Sequence, residues 1–246
     1  MSDHAEAASR DPAGTRGVVP RQARALATRG AILAAAAEEF AEASYHEASL
    51  SRILERSKVT KGALYFHFVS KESIALAVVD EMDLLCHEIV DRSTSLGLDP
   101  LRTAAQVTRE VQDALAGSVL RAGQRLSTEG FAGPHRPGWP YRFWEGVFRD
   151  LFTRAAEDGL LRPGIDPASF SRTAVDTGTG AFVVSLGISH LADFAQRVCD
   201  NWELILGCAA DPAWWEGWCA EGGMAAVLAS HLRDDRGDGR GWVADV

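Results

Sequence analysis

Seven residues inside the segment 60–71 have types suited to gripping another molecule: Thr60, Lys61, Gly62, Ala63, Tyr65, His67 and Lys71. They close the stretch SLSRILERSKVTKGALYFHFVSK, from Ser49 to Lys71. Ser49 can N-cap a first helix whose Leu50, Ile53 and Leu54 recur at helical spacing, and Thr60 can cap a second. Ser57, Lys58 and Val59 form the turn between them, with Val59 as an apolar plug. A polar cap, a lysine and two residues with almost no side chain make a helix end that can press closely on a partner. Tyr65, His67 and Lys71 surround it with groups suited to phosphate oxygens. A helix-turn-helix enters a major groove in this way, with Lys61 at the base edges and Thr60, Tyr65, His67 and Lys71 on the backbone. On spacing alone, a solvated helical hairpin remains the commoner meaning. The three lysines of the chain, Lys58, Lys61 and Lys71, all fall here, and every other basic residue is arginine.

The segment TKGALYFHF closely resembles the signature of the TetR family of transcriptional repressors. Upstream, TRGAILAAAAEEFAEASYHEAS is similar to that family's first helix and its lead into helix two. The periodicity agrees: Ile32, Leu33, Ala36 and Phe40 fall at three- and four-residue spacing, predicting a helix over 21–42 that packs on the helix-turn-helix. At Ser44 the family usually has glycine before an aromatic equivalent to Tyr45, so local strain or a different turn is expected there.

The net charge of −9 over 246 residues is unlike that of a DNA binder until it is divided. Residues 1–80 carry ten basic and ten acidic side chains, whereas 81–246 carry 15 and 24. An acidic body repels phosphate and leaves the N-terminal part as the docking face. Residues 1–20 lack periodicity and read as a disordered arm, in which Arg10 and Arg16, with Arg21 and Arg24, could touch DNA or simply be solvated. The expected organisation is a DNA-binding domain at 21–70, a helical ligand-binding and dimerisation domain at 71–232, and a flexible tail at 233–246.

Ser70 can cap a long helix running to about Asp91, the one continuous connection the sequence offers between the two parts. Asp99-Pro100, Asp166-Pro167 and Asp211-Pro212 each announce a later helix, since aspartate caps free amides and proline suits the first helical position. No segment alternates with period two at strand length. The expected fold is all-α, with about six helices beyond the DNA module.

Within the body, RAGQRLSTEG (Arg121–Gly130), the Gly-Pro-rich loop after it and RFWEGVFRDLF resemble the γ-butyrolactone receptor branch of these regulators in actinomycetes, repressors of antibiotic and differentiation genes. The resemblance implies that Trp144 closes a ligand pocket and that Thr177 donates a hydrogen bond to the ligand. It also departs: the branch more often has Gly-Ile-Gln where this chain has Gly180-Ala181-Phe182. A lactone needs one or two donors and an apolar tunnel closed by a flat aromatic. Trp144, Phe148, Leu126, Val175, Thr177 and Phe182 could supply that surface, although an aromatic stripe at this spacing equally suits a core. Arg125 and Glu129, four residues apart, suit a structural ion pair.

The implied function is a repressor that binds a palindromic double-stranded operator as a homodimer and is released by a lactone-type effector. The alternative is a pseudo-receptor of the same branch, answering to an antibiotic, a butenolide, a furan or nothing. The sequence pI near 5.3 leans toward the receptor, because pseudo-receptors tend to be more basic. The dimer interface is expected from 167–191 and 196–231, where small residues (Gly178, Gly180, Ala181, Gly187) accompany Trp202, Trp214, Trp215 and Trp218; those tryptophans could equally be core.

Other classes find little support. GxSxG, HExxH, Walker A and GxGxxG are absent. His67 beside Tyr65, or Glu38 with Glu39, suggests no catalytic site, and paired glutamates on amphipathic helices usually face solvent. Cys86, Cys199, Cys208 and Cys219 have no paired CxxC spacing, so no metal, disulfide framework or cofactor is expected. No apolar run approaches the ~18 residues of a membrane span, and the N-terminus predicts no secretory leader, which points to the cytoplasm, at the nucleoid when DNA-bound.

Overall fold

The computed structural model describes residues 21–131 and 138–229. The proposed arm at 1–20, with Arg10 and Arg16, and the proposed tail at 233–246 lie outside the described residues. Among the described residues eleven helices follow one another: α1 (Arg21–Glu42), α2 (Leu50–Ser57), α3 (Lys61–His67), α4 (Lys71–Thr94), α5 (Pro100–Ala114), α6 (Ser118–Thr128), α7 (Tyr141–Glu157), α8 (Pro167–Ser189), α9 (Phe194–Ala209), α10 (Pro212–Ala220) and α11 (Gly223–Ala229). The only extended pairing among the described residues is a lone bridge between Leu161 and Ala210. Arg21 and Arg24 belong to α1 rather than to an arm.

Local chemistry explains most of the boundaries. Ser49, Thr60, Ser70, Asp99, Asp166 and Asp211 each accept backbone N–H bonds at a helix start. Ser70 does so reciprocally with Ser73. Eight helices rather than about six follow α3. The extra breaks are weakly marked, since Gly117, Pro140 and Asp193 precede α6, α7 and α9 without any side-chain cap bond.

Two cores result. The first joins Ile32 and Phe40 of α1, Ile53 of α2 and Leu64 of α3 to Met82 of α4 and Leu126 of α6. The second gathers Leu101, Phe152, Phe170, Trp202 and Trp218 from the body helices. The helix-turn-helix therefore shares its core with α4 and α6, and α6 lies directly on α1.

At Ser44 the second of the two expected outcomes holds: its backbone is not left-handed, and its Oγ donates to Glu47 Oε2 at 2.8 Å, so side-chain bonding makes a different turn. Other expectations need correction. Glu39 does not face solvent. It is fully buried, and its carboxylate accepts from the Ser49 amide while lying near Arg52 and Arg56, so it ties α1 to the start of α2. Among the tryptophans, Trp202 and Trp218 are core. Trp214 stacks on Trp218 and donates its indole N–H to Asp99 at 3.2 Å, while Trp215 packs beside Gly207.

Candidate functional site

Two regions of the molecule have site-like geometry. The first is the exposed end of α3. Thr60 Oγ1 accepts from the Ala63 amide at 3.2 Å, which fixes the start of the helix and leaves Lys61 and Gly62 exposed on its first turn. Glycine there costs about 1 kcal/mol relative to alanine in a helix. A Cβ on Gly62 would meet nothing in the protein, so packing within the chain does not require its absence. The open space leaves room for another molecule to come close. The Lys61 ammonium lies 6.0 Å from the Tyr65 ring centroid, and the half-buried His67 follows. Beside them stand two apolar side chains that the motif argument missed, Phe66 at 78% and Val69 at 84% exposure. Such groups suit sugar and thymine-methyl contacts next to polar readers.

Lys71 is placed differently from its companions. Its ammonium donates to the carbonyls of Tyr45 and Ala48 at 2.7 and 2.9 Å and sits 4.4 Å from the centre of the Tyr45 ring. Two of its three N–H groups are therefore committed to holding the α1–α2 turn, which corrects the expectation of a simple phosphate clamp. The same turn is held from the body. Glu129 accepts from the Tyr45 amide at 2.8 Å, Phe131 lies against the Tyr45 ring at 4.2 Å, and Arg125, paired with Glu129 as expected, donates to the Ala41 carbonyl. Burial, and then the nearby Glu72 carboxylate, raise the Tyr45 phenol above its ordinary pKa.

The second region is a cavity enclosed by α5 to α9, with about 800 Å³ of space including its open mouth. Trp144 and Phe148 line it from α7, and Val175, Thr177 and Phe182 from α8, so five of the six residues expected there converge. Leu126 does not. Leu120 and Gln124 present the lining face of α6, and Leu126, two positions on, lies roughly 200° around the helix, in the core shared with α1 and α4. Phe182, where the resemblance more often has glutamine, makes its part of the wall apolar.

Sequence reasoning missed the cavity residues on α5 and α9: Thr108, Val111 and Gln112 on the first, with Leu115 capping its end, and Phe194, Val198, Asn201 and Trp202 on the second. The α5 set falls at i, i+3, i+4 and i+7, so the signal was a polar residue interrupting an apolar helical face. Among the described residues, no Lys, Arg, His, Asp or Glu lines the cavity. The Thr108 hydroxyl donates to Ala104 O at 2.9 Å and the Thr177 hydroxyl to Thr173 O at 2.7 Å, while Asn201 Nδ2 donates to Thr177 O at 3.2 Å. Thr177 was expected to donate to a ligand; here its single proton serves its own helix, which leaves its oxygen to accept. Gln112 Nε2 is enclosed with no acceptor, an arrangement that costs about 1–3 kcal/mol.

Residues 32–78 match the model for bacterial regulatory proteins of the tetR family. The chain is 38% identical over 195 residues to the A-factor receptor protein of Streptomyces griseus, covering 78% of this chain and 67% of that one. It is 41% identical over 185 residues to the HTH-type transcriptional regulator UidR of Escherichia coli K12, covering 71% of this chain and 91% of that one. The chain belongs to the TetR family. A crystal structure described as a γ-butyrolactone receptor (ArpA-like protein) superposes with a TM-score of 0.71 at 27% identity, covering 86% of this chain and 99% of that one. In this TetR-family chain α3 is accordingly the recognition helix of a DNA-binding regulator. Regulators of this family are not enzymes, and Glu39 serves as a structural tie between α1 and α2.

Proposed function

We propose that this protein is a ligand-released repressor that binds a palindromic operator as a homodimer and answers to a small γ-butyrolactone-type signal, in control of antibiotic or other secondary-metabolite genes. The observation that carries the ligand half is the uncharged, aromatic-walled cavity in which Trp144 and Thr177 meet. The DNA half rests on family membership and on Thr60, Lys61, Gly62, Ala63, Tyr65 and His67 at one exposed helix end, with Lys71 bracing it. Such a regulator works where the chromosome is, in the cytoplasm. No described helix is long and apolar enough to cross a membrane.

One recognition helix reads too few base pairs for specific affinity at physiological salt, so two copies are needed. The face offered for that contact is the outer side of α8 and α9, where Val183, Val184, Ile188 and Leu204 are exposed, the last two at 71% and 70%. Gly180 and Gly187 on the same helix have open space beyond their Cα atoms, which lets another backbone come close. A monomer in sedimentation at micromolar concentration, with intact operator binding, would count decisively against the dimer.

Signal transfer has a shorter route than α4 alone. Helix α6 presents Leu120 and Gln124 to the cavity, Gly123 to Met82 of α4, and Glu129, just past its end, to the Tyr45 turn. Moving operator occupancy from 99:1 to 1:99 takes about 5.5 kcal/mol of ligand preference, and two sites in a dimer need only half of that each. The test is operator release against concentration of a γ-butyrolactone. Trp144→Ala is expected to bind operator within a few-fold of the parent yet fail to release it. Equal release curves would remove Trp144 from the ligand site, and loss of ligand-free operator binding would make it a core residue.

A further inference from the structure

We infer that Gln112 is the residue that selects the effector by its chemistry, taking an uncharged ligand through a carbonyl oxygen and rejecting the corresponding carboxylate; this rests on the ligand-responsive reading above. Three observations support it. Gln112 borders the cavity on the same α5 face as Thr108 and Leu115, yet its amide nitrogen is shut off from solvent with no acceptor. Several of the neighbouring donors are already used: the hydroxyls of Thr108 and Thr177 bond to their own helices, and Asn201 Nδ2 bonds to the Thr177 carbonyl. Finally, no cationic side chain among the described residues lines the cavity, so these walls offer a carboxylate no counter-charge.

The physical consequence is a selective deficit. A buried donor without an acceptor weakens the empty state, and a ligand oxygen that reaches it removes that deficit on binding. The terminal amide torsion of glutamine is broad, so its N–H groups can turn toward the cavity at little cost. A neutral carbonyl gives up little hydration on entering an aromatic-walled site, whereas an ionised carboxylate gives up far more and finds only neutral partners. The amide is therefore matched to a lactone carbonyl, while the Trp144 and Phe148 wall takes the alkyl part.

Three probes with one alkyl tail separate these contributions: 2-octyl-γ-butyrolactone, 3-octyltetrahydrofuran, which lacks the carbonyl, and 2-(2-hydroxyethyl)decanoate, the ring-opened carboxylate. Affinity is read by thermal stabilisation of the full-length parent, Gln112→Leu and Gln112→Glu proteins. In the parent the lactone should bind roughly tenfold or more tighter than either of the others. Gln112→Leu should lose that advantage for the lactone while holding the tetrahydrofuran as well as the parent does. Without ligand it should melt at or above the parent, because the orphaned donor is gone. A packing role predicts the opposite melting change. Gln112→Glu, of nearly the same shape, should lose lactone binding too, which keeps the test standing if the leucine variant does not fold. Equal lactone affinity in the parent and both variants overturns the role of Gln112 and leaves the repressor reading intact. Parent affinity for the carboxylate equal to that for the lactone overturns the neutral-ligand selection. A parent that binds none of the three overturns the lactone reading itself, and this inference with it.

Discussion

The end of α3 and the cavity between α5 and α9 handle polar groups in opposite ways. At α3 most of the polar groups are exposed, Lys61 carries a charge, and they are crowded into one helix of seven residues and its cap. In the cavity they are neutral and spread over several helices, and the hydroxyls of Thr108 and Thr177 bond to their own backbone. The first arrangement suits a polyanion, whose affinity comes from charge and whose sequence is read by a few donors. The second suits a small neutral molecule that must displace little and be told apart by one donor. Helix α6 touches both systems, with Gln124 toward the cavity and Gly123 against α4. The difference teaches that the two sites need no shared chemistry to be coupled, only a shared packed element.

The severest way to break that coupling is at Gly123. A Cβ there would lie 2.5 Å from Met82 Sδ and 2.7 Å from Met82 Cβ, so α6 and α4 meet with no room for a side chain. Gly123→Leu is expected to destabilise the fold by about 1–3 kcal/mol or more through overpacking. Denaturant unfolding reads that loss directly. Protein that remains folded should bind operator without responding to lactone. A variant that unfolds and releases DNA like the parent would show that α6 does not couple the two regions.

A somewhat smaller pair of effects sharpens the DNA side of the comparison. Lys61 is exposed and has no hydrogen bond or ion pair among the described residues, so Lys61→Ala should leave stability alone, cost about 1–3 kcal/mol of operator binding and relax sequence preference. Lys71→Met should do the reverse. It strips the Tyr45 and Ala48 carbonyls of their donor, lowering stability by about 1–3 kcal/mol, and changes the salt dependence of binding little. If Lys71→Met instead unfolds like the parent and flattens the salt slope by about one, the phosphate role read from the sequence is correct after all.

What the sequence made legible follows the same division. Caps act within three residues, so Ser49, Thr60, Ser70 and the three Asp-Pro starts could be read directly, and with them the recognition helix. The bracing role of Lys71 was hidden because its partners, Tyr45 and Ala48, are more than twenty residues away. Leu126 misled because the face that α6 turns to the cavity is set by what packs on its other side. Gln112 was invisible for a related reason: a glutamine in an amphipathic helix has meaning only once the neighbours fail to bond it. The cavity is a property of helix packing, and Trp144 and Thr177 were found through resemblance rather than through spacing.

The smallest expected effect sharpens the cavity side, at the corner between α8 and α9. His190 and Leu191 hold left-handed backbone there, and the corner is tied by the Asp193 carboxylate, which accepts from Arg197 Nε at 2.7 Å and from the hydroxyls of Ser185 and Ser189. These bonds, that from Arg197 foremost, hold the Asp193 carboxyl well below the usual carboxylate range. A carboxyl with its folded pKa depressed stabilises the fold fully above its unfolded value near 4, and that contribution fades as pH falls below it. Asp193→Asn should therefore melt slightly below the parent near neutral pH, and the gap should narrow as the pH falls below about 4. Added salt should shrink it as well, because the group is partly exposed. Phe194, the next residue, lines the cavity and meets Phe182 edge-on, so the variant's lactone affinity should fall along with the stability of the corner. A melting difference that stays constant from pH 3 to pH 7 would mean that Asp193 acts through packing rather than charge, and unchanged lactone affinity would mean that the corner does not shape the cavity.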